Sequence, residues 1–242
     1  MKRQKIRKLL LLIMLLLFPV IIYYFSPVLI LQGALEGIFV GSFVIFTALF
    51  FTSIFFGRFF CGYLCPMGGL QECAAHINDK PAKGGRKNYI KYIIWVVWII
   101  GIILCFINKN ALSFNMAYQT DGGISVTDNF SYIIYYGIIL LVLLPSIIFG
   151  KRIFCHYFCW MAPFMVLGRR LGRLLRVKQL SLSADKENCI SCLACDRACP
   201  MSLKVSKKVK EEKMYDDECI LCGACIGQCP KKIIRYKFSR RK

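Results

Sequence analysis

The chain has 242 residues, 57% of them hydrophobic, and a formal charge of +20; its mean hydropathy is +0.54. Such a composition excludes an ordinary soluble domain and points to a membrane protein, on which a basic excess marks segments near anionic lipid. With no zinc-finger, helix-turn-helix or RNA-binding signature, no nucleic-acid partner is expected.

In chain order, the basic stretch MKRQKIRK precedes a charge-free run over 9–31. That run is longer than a signal-peptide core, so an uncleaved anchor is expected, kinked or ended by Pro19 and Pro27. Further apolar runs cover 37–56, 92–108 and 132–149. Each approaches the ~20 residues that cross a bilayer, so four transmembrane helices are predicted. Lys and Arg cluster before the first run, between the second and third (Arg58, Lys80, Lys83, Arg86, Lys87, Lys91) and from Lys151 onward, whereas the 108–131 loop holds only Lys109. The positive-inside rule then places both termini in the cytoplasm and leaves the 108–131 loop free to dock an outer-face partner.

The second run ends in FGRFFCGYLCP and the fourth in FGKRIFCHYFCWMAPF. Cys61 and Cys65, like Cys155 and Cys159, lie one helical turn apart. Two helices followed by Cys-x3-Cys, twice over, make a parallel repeat about an axis along the membrane normal, which brings the four thiols to one depth on the cytoplasmic side. Four soft thiolates suit an iron–sulfur centre or Cu(I). Thiols at this spacing can also cycle between dithiol and disulfide, and inert packing is a third reading.

In FMVLGRRLGRLLRV, residues 164–177, Phe164, Leu167, Leu171, Leu174 and Leu175 share one face, while Arg169, Arg170, Arg173 and Arg176 share the other. The pattern predicts a basic amphipathic helix on the inner leaflet, or a tail of the fourth helix curling into the cytoplasm. Three segments follow: 1–163 as the membrane domain, 164–180 as the interfacial segment and 181–242 as a soluble domain.

The soluble domain decides what the fourteen cysteines are for. A disulfide scaffold would be a small secreted domain. Here CISCLACDRACP and CILCGACIGQCP each read C-x2-C-x2-C-x3-C-P. This is the bacterial two-cluster ferredoxin run, in which the fourth Cys of each motif ligates the other cluster. One [4Fe-4S] cluster is therefore expected on Cys189, Cys192, Cys195 and Cys229, and a second on Cys219, Cys222, Cys225 and Cys199. Zinc sites place two cysteines per half-site and lack this rhythm. The basic KVSKKVKEEK insert suits an acidic cytoplasmic electron carrier, or is a solvated loop near anionic lipid.

Four membrane helices, FCGYLCP, a second Cys-x3-Cys and a two-cluster ferredoxin tail together resemble the NapH/MauN-type membrane iron–sulfur proteins. CHYFCWMAPF is most like the YccM-type electron-transport members. The resemblance covers nearly the whole chain, and it departs at Cys159, where Trp160 stands in place of the family's proline. It implies an α-helical membrane domain with an α+β ferredoxin-like tail, located in a prokaryotic cytoplasmic membrane. It also implies electron transfer between the quinone pool or a cytoplasmic donor and a partner oxidoreductase, without a catalytic pocket. Two alternatives stand beside it: a copper-handling or assembly factor acting through the Cys-x3-Cys thiols, and a redox sensor, for which no output domain is visible. Glu36 is a proton-handling or snorkelling carboxylate. His156 is a hydrogen-bonding or interfacial aromatic residue, His76 has no required role, and Cys105 reads as packing.

Overall fold

The computed structural model describes residues 2–107 and 113–240, so the first residues of the 108–131 loop, with Lys109, lie outside the described residues. The first apolar run does not form one helix. It divides into α1 (Lys2–Leu16), α2 (Phe18–Ile21), a 3-10 turn at Ile22–Phe25 and α3 (Pro27–Glu36), with a 60° bend between the first helix and Phe18–Phe25. Pro19 and Pro27 each sit in the first turn of a new helix, where a missing N–H costs nothing. The break exposes backbone carbonyls in an apolar setting, and side chains answer them. Trp160 Nε1 donates to Phe25 O and Trp98 Nε1 to Pro27 O, both at 3.0 Å, while Ser125 Oγ donates to Val20 O at 2.7 Å.

Strand β1 (Ile38–Val40) leads into α4 (Gly41–Phe56), which ends where Gly57 turns to φ 56°. Two short helices follow, α5 (Phe59–Tyr63) and α6 (Pro66–Ala74). The second half begins with α7 (Ile90–Ile107), and β2 (Ser113–Asn115) then pairs in parallel with β1, Ile38 opposite Ser113. Next comes α8 (Asn129–Phe149), ended by Gly150 at φ 111°, then α9 (Ile153–Tyr157) and α10 (Ala162–Leu174). The tail comprises β3 (Gln179–Ala184), α11 (Ala194–Arg197), α12 (Val205–Lys210), α13 (Ala224–Gln228) and β4 (Ile234–Ser239). β3 and β4 are antiparallel, Gln179 opposite Ser239.

Among the described residues, two helices, Gly85–Ile107 and α8, are long and apolar enough to cross a membrane, and the bent α1–α2 pair is a third at most. α4, with 16 residues, is ~24 Å long, short of a ~30 Å hydrocarbon core.

The repeat is visible as exchanged packing. α10, from the second half, lies along α4 of the first, and α6, from the first half, lies along α8 of the second. Small residues set the closest approach: a Cβ on Gly168 would lie 2.4 Å from Phe50 O, and one on Gly172 would lie 2.6 Å from Ile54 O. This packing revises the reading of α10 as a helix lying on the leaflet. Leu167, Leu174 and Leu175 are exposed as that reading requires, but Arg169 is 2% exposed. The arginines turn toward the tail domain, Arg169 to Asp216 O at 3.1 Å and Arg170 to Asp217 at 2.5 Å. Leucine at Gly168 should cost ~1–3 kcal/mol by overpacking, read as a lower melting temperature of the detergent-solubilised protein, whereas alanine at the exposed Leu174 should leave melting unchanged.

Candidate functional site

The tail motifs fold as near copies. Ser191 and Leu221 take φ values of 54° and 52°, Leu193 and Gly223 of 59° and 65°, and Ser202 and Lys232 of 51° and 52°. These are equivalent positions in the two motifs, and only one of the six is glycine. Left-handed residues alternating with right-handed ones turn successive N–H groups into a concave nest, a geometry that receives the sulfur atoms of iron–sulfur centres. Strain at five non-glycine positions is tolerated where the surroundings over-determine it.

Each nest opens on its own cavity. One is lined by Cys189, Cys192, Cys195 and Cys229, the other by Cys199, Cys219, Cys222 and Cys225. Each cavity brings together three cysteines of one motif and the fourth of the other. All eight are free thiols. The donor chemistry and the nests fit one [4Fe-4S] cluster per set, which would supply reversible one-electron chemistry. The environments differ. Cys192 is exposed and Cys189, Cys195 and Cys229 are half-buried, while Cys199, Cys222 and Cys225 are buried.

The second set is pressed against the membrane domain. Gly62, inside CGYLC, lies so close that a Cβ there would come 2.5 Å from Ile220 O. α1 reaches the same loop: Gln4 Nε2 donates to Cys222 O at 2.9 Å and Arg3 Nη2 to Gly223 O at 3.0 Å. Tyr236 OH donates to Leu221 O at 2.6 Å.

Directly above lie Cys61, Cys65, Cys155 and Cys159, all buried. The repeat holds them symmetrically. Cys61 Sγ is 3.9 Å from Met165 Sδ, and Cys155 Sγ accepts from Gln71 Nε2 at 3.1 Å; Met165 and Gln71 each sit six residues after the last Cys of the opposite half. Burial, reinforced by the Cys61, Cys155 and Cys159 thiols around it, holds Cys65 well above the ordinary thiol value. The four thiols therefore share one buried layer. Among the described residues, no three His, Cys, Asp or Glu side chains converge closely enough to hold a single metal ion.

Charge surrounds this layer, and the spacing of Lys and Arg along the chain shows it only as a topology signal. Arg58 and Arg152 stand three residues before the first Cys of each pair, and both are 0% exposed. Arg152 meets Glu72 at 2.5 Å, and Glu72 also meets Arg7 at 2.6 Å. Arg58 meets Glu218 at 2.8 Å, and Glu218 also meets Lys91 at 2.6 Å. The repeated R-x2-C-x3-C pattern was the available signal. Burial opposes ionisation of Glu218, but Arg58 and Lys91 outweigh it and hold its carboxyl below the ordinary value; Arg152 and Arg7 do the same for the largely buried Glu72.

The remaining sequence candidates separate. His156 is buried, its Nδ1 is 3.2 Å from Asn88 Oδ1, and burial pushes it down to about 4, leaving a neutral imidazole. His76 lines an open cleft with Cys73, away from His156. Glu36 ends α3 at an exposed position and accepts from Tyr118 OH at 2.7 Å. Cys105 packs at the edge of the core.

Glutamine at Glu218 would leave Arg58 and Lys91 buried without a counter-charge, and should cost ~3–5 kcal/mol. A carboxyl depressed in the folded state contributes stability that is present above its unfolded value and lost as pH falls through the folded value. Melting temperature should therefore begin to fall below about pH 4.5, the ordinary carboxyl value, and less steeply in Glu218→Gln than in the native protein.

Comparison with known proteins agrees with this geometry. The family model "4Fe-4S binding domain" matches residues 38–84 and 133–178, the two halves that each carry a Cys-x3-Cys pair. The model "4Fe-4S dicluster domain" matches 188–234. The ferredoxin-type protein NapH of Haemophilus influenzae is 24% identical over 76% of this chain and 63% of its own length. YccM of Escherichia coli, named for electron transport, is 23% identical over 83% of this chain and 57% of its own. An uncharacterized protein of Methanocaldococcus jannaschii is 25% identical over 76% of this chain and 74% of its own. The chain thus spans less than two thirds of NapH and of YccM, and no solved structure matches it. The doubled membrane motif, the dicluster tail and these relatives support a likeness to the NapH/YccM-type iron–sulfur proteins.

Proposed function

We propose that the protein is a membrane-bound iron–sulfur electron-transfer protein, in which electrons pass between a carrier on the cytoplasmic side and an acceptor or donor in the membrane. The observation that carries this reading is the graded burial of three sulfur sites. The Cys189, Cys192, Cys195 and Cys229 set lies toward solvent, and the Cys199, Cys219, Cys222 and Cys225 set lies against CGYLC. The four-thiol layer lies behind both, so each site adjoins the next. With no nucleophile–base pair in the mechanism, the chemistry belongs to the cofactors and the protein supplies position and field.

In this reading the outer set accepts or donates at the aqueous face, where the basic insert suits an acidic carrier. The layer exchanges electrons with the quinone pool or with a membrane-bound oxidoreductase. The chain crosses the cytoplasmic membrane four times, α4 reaching across with the residues that flank it, and both termini and the ferredoxin domain lie in the cytoplasm. The clustering of Lys and Arg before α1, between α4 and α7 and after α8 supports that orientation.

The test is a handover in liposomes under strict anaerobiosis. The tail clusters are reduced with dithionite, excess reductant is removed, a menaquinone analogue is added and the cluster absorbance is followed. Rapid reoxidation is expected for the native chain. Cys222→Ser, which removes a ligand of the membrane-side set, should leave the solvent-side cluster reduced. Clusters that hand electrons to no quinone and to no membrane fraction would overturn the proposal.

A further inference from the structure

A cleft of about 600 Å3 lies where α1, α6 and the tail domain meet, within the ~300–1,000 Å3 that ligand sites occupy. Among the described residues Cys73 is the only cysteine on its wall, so the proposed electron path does not use it. Its charge is one-sided. Arg7, Lys8, Lys151, Arg152 and Arg197 line it, against Glu72 and Asp79. Both carboxylates are already taken, Glu72 by Arg7 and Arg152, and Asp79 by Lys151. Lys8 and Arg197 are exposed and, among the described residues, enter no ion pair. Arg152 is 0% exposed, and its Nε has no acceptor, a cost that a bound acceptor would relieve. The lower part of the cleft is apolar. Lys8, Leu11, Leu12 and Leu15 follow the i, i+3, i+4, i+7 spacing, so one face of α1 carries a cation and then three leucines.

We infer that this cleft binds the headgroup of an anionic phospholipid, its phosphate held between Lys8 of α1 and Arg197 of the tail, its acyl chains running along Leu12 and Leu15. The inference rests on the membrane orientation proposed above and is independent of the redox role. In that orientation the basic start of α1 meets the cytoplasmic leaflet, where anionic lipid is available and basic pockets beside membrane helices take headgroups. The two ends of the cleft select the ligand together. A neutral lipid would leave the excess of cations unbalanced. A soluble phosphate would answer the cations but leave the exposed Leu12 uncovered. The site also spans two domains. Ala198 and Pro200 on its wall flank Cys199, and Ala224 immediately precedes Cys225. A lipid seated there fastens the tail to the membrane domain and closes one side of the membrane-side cysteine set.

Cys73, exposed on the wall of the cleft, reports its occupancy. The full-length protein is purified anaerobically in a non-ionic detergent, and alkylation of Cys73 by a maleimide is followed by peptide mass mapping. Phosphatidylglycerol, phosphatidylcholine of the same chain length and inorganic phosphate are added in separate titrations. Phosphatidylglycerol should slow Cys73 alkylation about tenfold at ten times its dissociation constant, and phosphatidylcholine should leave it unchanged. The double variant Lys8→Gln, Arg197→Gln should lose the protection, whereas Lys8→Arg should keep it. Both positions are exposed and unpaired, so the lipid-free melting temperature should not move. Equal protection by the two lipids, or protection that survives in the double variant, would overturn the proposal. Inorganic phosphate protecting as well as phosphatidylglycerol would overturn the lipid and leave a soluble phosphate compound as the occupant. Cluster absorbance is recorded on the same samples. Its absence would count against the electron-transfer reading, whereas its presence without any protection of Cys73 would overturn the lipid site alone.

Discussion

Two carboxylates, each shared by two buried cations, hold this molecule together. Glu72 receives Arg7 from the first helix and Arg152 from the second half; Glu218 receives Arg58 from the first half and Lys91 from α7. The first joins the halves of the repeat, and the second joins the membrane domain to the ferredoxin tail. Charges taken out of water demand close geometry from every partner, so these clamps specify the arrangement more than they stabilise it against an apolar alternative. They also fix the distance between the tail's second cysteine set and the thiol layer, because Glu218 immediately precedes Cys219 and Arg58 lies just ahead of Cys61.

The ferredoxin tail was legible in the sequence because its ligands follow a local rhythm. Eight cysteines and two prolines declare both sets, and the cross-sharing of Cys199 and Cys229 follows from the motif. The doubled Cys-x3-Cys was legible for the same reason. What could not be read was the partnership between segments far apart in sequence. Arg58 and Arg152 looked like ordinary cytoplasmic-side charges because nothing local distinguishes an arginine that snorkels from one that is buried against a distant glutamate. Arg169 was assigned to the lipid headgroups on the pattern of α10 alone, and its stacking over Tyr215, 4.5 Å from the ring centre, depends on a domain that follows. The first apolar run failed differently. Its composition permits a continuous span, and side chains contributed by the second half, the indoles of Trp98 and Trp160 and the hydroxyl of Ser125, make a broken one tolerable.

That last point gives the departure at Trp160 a structural reason. In the first half, Pro66 follows the second Cys and starts α6. In the second half the helix start moves to Ala162 and Pro163, and the freed position carries a side chain that reaches across to the broken helix. The halves are alike where they face the thiol layer and unlike where each meets its own neighbours.

The reach of α1 over the loop of Cys222 and Gly223 has a consequence for how the chain is made. Arg3 and Gln4 leave the ribosome well before the loop they cover, the paired groups being 220 and 218 positions apart. Until the tail has emerged, the first helix has no loop to cover and Glu218 cannot join Arg58 to Lys91. Contacts of such wide separation form late, after the entropy of closing the whole chain has been met. Until that segment docks, the loop of Cys222 and Gly223 is open on the side that Arg3 and Gln4 later cover.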